Sequence, residues 1–122
     1  MDKQITGRWG EEQAARYLRR RGYFILEMNY SCRFGEIDII ARRGRFVVFA
    51  EVKTRKDAAF AQAREFVTRA KQERIMAAAM RWLSENETSL QPRFDVIEVY
   101  APFGPGGRAE IQHIQDAFGC DM

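Results

Sequence analysis

Hydrophobic periodicity along the chain predicts two long helices. Apolar residues recur at three- and four-residue intervals from about Thr6 to Arg21, which is typical of an amphipathic helix, and Gly22 follows where a C-cap glycine belongs. A second helix is predicted to begin at Thr68, a suitable N-cap residue, and to end near Glu87. Its core-facing stripe consists of Ile75, Ala78, Ala79, Trp82 and Leu83.

Around these helices the pattern changes to the two-residue period of strands. The predicted strands are Tyr23–Tyr30, two within Gly35–Arg55 joined by a tight turn at Arg43-Gly44, Phe94–Tyr100 and Glu110–Ile114. The predicted order of elements is therefore α, β, β, β, α, β, β. From this order we expect an α/β fold in which two main helices flank a mixed sheet.

Composition favours one soluble domain. The 122 residues are 46% hydrophobic and 30% charged, so we expect a single domain over residues 1–122. Cys32 and Cys120 lack the spacing of a zinc site or a disulfide framework, which favours reduced thiols and a cytoplasmic location. No apolar segment approaches the length of a membrane span.

The net charge of +3 permits a polyanionic partner without requiring one. Basic residues are concentrated in three short segments, Arg19–Arg21, Arg42–Arg45 and Lys53–Lys56. Together these segments could form basic patches. Each segment taken alone is more typical of a solvated turn or helix end.

The two strands within Gly35–Arg55 carry acids that buried strands usually exclude, because an unpaired buried charge is costly. Asp38 interrupts an apolar run, and Glu51 and Lys53 end the next one. An even-length turn would place Glu36, Asp38, Glu51 and Lys53 on one face, and Ile37, Ile39 and Val52 on the other. An odd-length turn without a bulge would place Asp38 and Glu51 on opposite faces.

The first helix contributes a further acid. At about 100° per residue, Glu11 lies on the buried side of that helix near Leu18, whereas Glu12 points to solvent. Glu11 is therefore directed inward, and Glu12 is an ordinary surface acid that favours the positive end of the helix dipole.

Converging carboxylates would repel one another unless a hard cation lay between them, and Mg²⁺ prefers oxygen ligands. Such a cation polarises a phosphodiester and activates a bound water. Lys53 would then orient that water or stabilise the charge that develops on the phosphate. The alternative is a surface Glu51–Lys53 pair, which would contribute at most about 1 kcal/mol.

Six blocks of the sequence carry a resemblance: GRWGEEQAARYL, RRGYFIL, NYSCRFGEIDIIAR, VVFAEVKTR, KQERI and RFDVIEV. They are similar to the uncharacterised bacterial YraN-like family of predicted nucleases related to Holliday-junction resolvases, in register over nearly the whole chain. The resemblance implies a restriction-endonuclease-like fold with a PD-(D/E)xK site. The chain departs from the family pattern at Ala61, where a glycine is expected, and over 56–67, which we predict to be mobile.

Carried onto this chain, the resemblance makes Asp38 the motif aspartate, Glu51 and Lys53 the acid-x-lysine, and Glu11 the acid of the first helix. Asp38, Glu51 and Glu11 would hold Mg²⁺ or Mn²⁺, and Glu36 is an additional candidate. The implied activity is hydrolysis of DNA, branched or junction DNA included. The expected phosphate contacts are Arg33, Arg55 and Lys71.

Two functions therefore remain open from the sequence. The first is a metal-dependent endonuclease, for which the analogy with junction resolvases also suggests a homodimer. The second is a non-catalytic nucleic-acid-binding or protein-interaction domain that keeps the nuclease fold.

The remaining polar and aromatic candidates have structural explanations. His113, the only histidine, lacks a histidine partner and is predicted to be a strand or surface residue rather than a ligand. Cys32 is predicted to be structural, because no activating base adjoins it. Trp9, Tyr30 and Trp82 are predicted to lie in the core.

Overall fold

The computed structural model describes residues 3–55, 67–102 and 107–119, with side chains from residue 7 onward. Its elements are α1 (Lys3–Arg20), β1 (Phe24–Cys32), β2 (Gly35–Arg43), β3 (Phe46–Arg55), α2 (Arg69–Glu85), β4 (Gln91–Tyr100) and β5 (Glu110–Phe118). The order predicted from periodicity is confirmed. The predictions for Ala61, for most of 56–67 and for Cys120 lie outside the described residues.

The five strands form one mixed sheet in the order β1-β2-β3-β4-β5. Three of the four pairings are antiparallel, and only β3 and β4 run parallel. A parallel pair requires a long crossover, and α2 lies in the connection between those two strands. β3 is thereby the central strand, with a partner on each side.

The two helices cover opposite faces of the sheet. On the α1 face, Ala14 and Leu18 pack with alternate β3 residues such as Val48 and Ala50. On the α2 face, the helix packs against Val47 and Phe49, among others. Burial of both faces explains why β3 is apolar at every position from Val47 to Ala50 instead of alternating. The predicted restriction-endonuclease-like sheet flanked by two helices agrees with this architecture.

The turn between β2 and β3 has two residues, because Arg43 pairs with Phe46. Gly44 adopts a φ of 58°, a left-handed value that glycine adopts without steric cost. The even-length alternative is therefore the correct one, and the register continues from Arg43↔Phe46 to Ile39↔Ala50. Continued by one step, it places Asp38 opposite Glu51.

One detail of the predicted faces was wrong. Ile39 and Val52 pack on the α1 side, but Ile37 packs with the core cluster under α2. The strict alternation of β2 breaks between Ile37 and Ile39, beside the point at which the β2–β3 pairing ends.

Close contact between α1 and β3 depends on Gly10. A Cβ at this buried position would lie 1.8 Å from Thr54 Oγ1, a distance that no real contact allows. The glycine lets the helix backbone approach the strand. The close approach at Gly10 also fixes the position of the next residue, Glu11, relative to β3.

Candidate functional site

The site forms where β2 and β3 stop pairing. Beyond Ile39↔Ala50, β2 continues beside β1, and β3 continues beside β4. The backbone N–H of Val52 donates to Asp38 Oδ2 over 2.8 Å, so a side chain replaces a strand carbonyl as its acceptor. This interruption of the sheet makes the acids of the two strands reachable from both helices.

A cleft of about 380 Å³ opens at this interruption. It is lined by Gly35, Glu36, Asp38, Glu51, Lys71, Arg74 and Ile75. β2 and β3 supply its acids, and α2 supplies its bases.

Glu51 is the most buried acid of the cleft, with 5% of its surface exposed. Lys71 Nζ lies 2.6 Å from Glu51 Oε1, and Lys53 Nζ lies 3.7 Å from the same oxygen. A carboxylate removed from water needs such compensation, because burial of an unpaired charge is strongly unfavourable. Two ammonium groups from different elements therefore share one carboxylate oxygen.

The carboxyls of Asp38 and Glu11 interact with that of Glu51. Burial raises the pKa of Asp38 to about 7, repulsion from Glu51 and Glu11 adds to the rise, and the Val52 N–H opposes it. Burial likewise raises the pKa of Glu11, helped by the charge of Glu51 and opposed by a hydrogen bond with Asn29. The structure thus brings together Glu11 of α1, Asp38 of β2 and Glu51 of β3, the three acids that the sequence singled out.

The two lysines differ in their electrostatic environment. Burial lowers the pKa of Lys53, and the adjacent Lys71 charge lowers it further, against the pull of Glu51. Burial also disfavours the charged form of Lys71, but the hydrogen bond and the charge of Glu51, with smaller contributions from Lys53 and Asp38, together outweigh burial and raise the pKa of Lys71. Lys71 therefore holds its proton more strongly than an ordinary lysine does, and Lys53 gives up its proton more readily.

The donor chemistry of the cleft fits a hard divalent cation. Within the described ranges, no three acidic, histidine or cysteine side chains already enclose one point. The acids nevertheless supply only oxygen donors, the type that Mg²⁺ and Mn²⁺ prefer. A positive charge among them would offset the repulsion that helps to raise the pKa of Asp38 and Glu11. Lys71 supplies part of that charge.

The other predicted site residues are placed differently. Glu36 is exposed and lines the cleft. Arg33 is exposed in the β1–β2 turn, 4.8 Å above the Phe34 ring and two residues from Gly35 of the cleft. The Arg55 side chain is only 18% exposed, and its Nε lies 3.4 Å from Glu98 Oε2.

Sequence reasoning missed Arg74, which lines the cleft beside Lys71. The two residues are three positions apart on α2, a spacing that places side chains on one helical face. That signal was available once Lys71 had been singled out.

Sequence reasoning also missed a buried polar cluster around Asp95, near the middle of β4. Asp95 is fully buried and accepts hydrogen bonds from Arg93 at 3.0 and 2.8 Å, and from the Asp116 backbone N–H at 3.0 Å. His113 Nε2 lies 2.6 Å from the same carboxylate. Burial opposes its ionisation, but the bonds from His113 and Arg93 outweigh it and lower the pKa of Asp95.

His113 lies on β5, as predicted, but its side chain is buried rather than at the surface. The cluster is structural, since its polar groups satisfy one another. The spacing Arg93-x-Asp95, which puts both side chains on one face of a strand, was the available signal. The core positions predicted for Tyr30 and Trp82 are confirmed, and Trp9 packs against the core under α1.

Fold and site together define an α/β protein with a five-stranded mixed sheet, two flanking helices and an acidic cleft where the sheet is interrupted. The chain belongs to the uncharacterised protein family UPF0102, whose model matches residues 10–99. The family resemblance inferred from the sequence blocks is confirmed. The matched region contains the acids of the cleft and both lysines that contact Glu51.

Relatives in this family match nearly the full chain. A UPF0102 protein of Syntrophotalea carbinolica is 47% identical over 116 residues, covering 94% of this chain and 92% of that protein. One of Nocardia farcinica is 44% identical, covering 96% and 91%. One of Caldanaerobacter subterraneus subsp. tengcongensis is 42% identical, covering 97% and 98%. Neither described helix is long and apolar enough to cross a membrane.

Proposed function

We propose that the protein is a metal-dependent endonuclease that hydrolyses phosphodiester bonds in DNA, branched and junction DNA included. The supporting observation is the convergence of Glu11, Asp38 and Glu51 at the interruption of the sheet, with Lys53 beside them. Carboxylates that raise one another's pKa would gain from a cation bound among them, because it would offset their repulsion.

Asp38 and Glu51 would hold Mg²⁺ or Mn²⁺, with Glu11 contributing directly or through water. A cation held by these residues would supply Lewis acidity toward the phosphodiester and toward a bound water. The hydrogen bond from the Val52 N–H fixes Asp38, and the packing of Gly10 against Thr54 fixes the height of α1. The acids are thus held by the fold before any ligand arrives.

Lys53 holds the attacking water. Its amine lies on the β3 face that carries Glu51, and burial lowers its pKa. An amine of lowered pKa takes a proton more readily near neutral pH than an ordinary surface lysine does. Lys53 Nζ would accept or share the proton of the water that attacks phosphorus.

The bases of the cleft would bind the substrate. Lys71 and Arg74 line the cleft from α2, and Arg33 lies on the adjoining turn. Positive groups at these positions neutralise phosphate charge and stabilise the charge that develops during hydrolysis. Arg55 would assist from the end of β3 while its guanidinium is held by Glu98.

A second candidate is a non-catalytic nucleic-acid-binding or protein-interaction domain with the same fold. The observation in its favour is the 2.6 Å Lys71–Glu51 contact, which compensates the buried charge of Glu51 without a metal ion. The two candidates differ in whether Glu51 exchanges that partner for a divalent ion.

The deciding experiment offers duplex, single-stranded and four-way-junction DNA to the wild type, Asp38→Asn and Glu51→Gln, each with Mg²⁺ or Mn²⁺. The endonuclease predicts wild-type cleavage that both variants lose and that Glu12→Gln, at an exposed acid outside the cleft, retains. Metal-independent binding with no cleavage of any substrate would favour the second candidate. Because a junction presents two symmetric strands, we also propose a homodimer on that substrate, which sedimentation with and without the junction would detect.

A further inference from the structure

Two of the arginine segments meet at one end of the sheet. Arg21 directly follows α1, and the β2–β3 hairpin carries Arg42 and Arg43 at the end of β2 and Arg45 in the turn. Phe24, three residues after Arg21, pairs with Arg42 across the β1–β2 ladder. We call the exposed residues Arg21, Arg42, Arg43 and Arg45 the arginine pole.

Aromatic rings support the guanidinium groups of the pole. Arg21 lies 4.9 Å from the Tyr17 ring centre, Arg43 lies 5.4 Å from that of Tyr23, and Arg45 lies 5.3 Å from that of Phe46. A guanidinium over a ring face is attracted by the ring quadrupole. These contacts restrict three of the four side chains of the pole.

The buried Asp95 cluster holds these rings in turn. Arg93 donates to Tyr23 Oη over 2.7 Å and lies 5.0 Å from the Phe46 ring centre. His113, bound to Asp95, packs edge-on against the rings of both Tyr17 and Tyr23. Through Arg93 and His113, the buried Asp95 carboxylate thus helps to position the Tyr17, Tyr23 and Phe46 rings that contact the pole.

Among the described residues, the arginines of the pole have no acidic partner. Ion pairs there join acids to Arg55, Arg69, Arg81 and Arg93, but not to the four arginines of the pole. Like charges crowded on a rigid support repel one another. The helix dipole stabilises an arginine near a helix C-terminus, which explains Arg21 but not the three arginines of the β2–β3 hairpin.

The pole lies at the opposite end of the molecule from the cleft. Glu51 lies five positions after Phe46 on β3, which corresponds to about 17 Å of strand. Glu11 lies nine positions before Arg20, the last residue of α1, which corresponds to about 14 Å of helix. A phosphate bound in the cleft therefore cannot contact the pole.

We propose that the arginine pole is a second binding surface for the phosphate backbone of nucleic acid, which engages a stretch of DNA outside the cleft. Planar guanidinium groups suit phosphate oxygens, because they donate two hydrogen bonds in a fixed geometry. The pole extends the proposed function to a longer or branched substrate. It concerns binding alone and does not require the cleft to be catalytic.

The test measures binding of a duplex of about 25 base pairs by fluorescence anisotropy in EDTA over a series of salt concentrations. Arg43→Gln/Arg45→Gln removes two charges of the pole, and Arg81→Gln/Arg108→Gln removes two exposed charges elsewhere. We expect the pole variant to bind at least about tenfold more weakly near 100 mM salt, with a log–log salt slope smaller by about 2. The control variant should bind as the wild type does.

Equal affinity of the pole variant and the wild type, equal loss in both double variants, or no binding by the wild type would overturn the proposal. Thermal melting of each variant verifies that the fold is retained. A pole variant that binds as the wild type, in a protein that cleaves DNA, refutes the pole alone. Pole-dependent binding without cleavage refutes the endonuclease alone.

Discussion

Asp38→Asn should stabilise the protein at neutral and mildly alkaline pH while abolishing its proposed activity. Asp38 is partly buried between Glu51 and Glu11, and these surroundings raise its pKa to about 7. Ionised Asp38 is therefore unfavourable in the folded state. Asparagine keeps a side-chain oxygen that accepts the Val52 N–H, so the substitution removes the charge and retains the contact.

The magnitude follows from the displaced pKa. A rise from 3.8 to about 7 corresponds to an upper limit of about 4 kcal/mol between the protonated and ionised forms. Because the folded-state pKa is the higher one, the contribution of Asp38 to stability is fully present below about pH 4. It is lost as the pH rises through about 7, so the advantage of the asparagine variant grows over that interval and then levels off.

The assay is urea denaturation of the wild type, Asp38→Asn and the control Glu36→Gln between about pH 4 and 8. We expect the stability difference between wild type and Asp38→Asn to change by several kcal/mol across this range, to an upper limit of about 4. The exposed Glu36 should show a much smaller change. A difference that does not vary with pH would refute the proposed electrostatic environment of Asp38.

Added Mn²⁺ extends this test. A cation bound among the acids favours ionised Asp38, so it should stabilise the wild type near neutral pH and have little effect on Asp38→Asn. Equal stabilisation of both proteins would show that the ion binds elsewhere.

Three further predictions concern other parts of the fold. Lys71→Met removes the ammonium group that competes with Mn²⁺ for Glu51. Calorimetry should therefore show Mn²⁺ binding at least about tenfold tighter than in the wild type. Unchanged or weaker binding would contradict this competition. Tyr100→Phe removes the 2.8 Å hydrogen bond to buried Glu98 and should cost about 1–3 kcal/mol in urea denaturation, whereas a cost near zero would show that Glu98 finds another donor. Gly10→Ala should cost about 1–3 kcal/mol because its Cβ collides with Thr54, and a neutral effect would show that α1 can move outward freely.

Much of the site could be anticipated from the sequence because side chains alternate strictly from the turn at Gly44 to the Ile39↔Ala50 pair, one step before Asp38 and Glu51. Once Asp38 and Glu51 lay on strands joined by a short turn, only the parity of that turn decided whether they met. The two-residue turn at Gly44 gives the even solution. Inward Glu11 followed from the helical period in the same way.

Other parts could not be read from periodicity. The Val52 N–H donates to the Asp38 carboxylate where the β2–β3 pairing ends. Beyond that point, Ile37 packs in the core cluster under α2 and not in the one under α1. Lys71 meets Glu51 only because α2 docks over the end of β3, a tertiary contact without a local sequence signal. Local patterns thus predicted the faces of single elements, whereas the position of one element over another required the three-dimensional structure.

A calorimetric Mn²⁺ titration of the wild type, Asp38→Asn, Glu51→Gln and the surface control Glu12→Gln tests the central claim most directly. The cleft predicts one Mn²⁺ per chain in the wild type and in Glu12→Gln, and affinity at least about tenfold lower in the other two variants. No measurable binding by the wild type, or wild-type affinity in both Asp38→Asn and Glu51→Gln, would contradict a cation site at the interruption of the sheet.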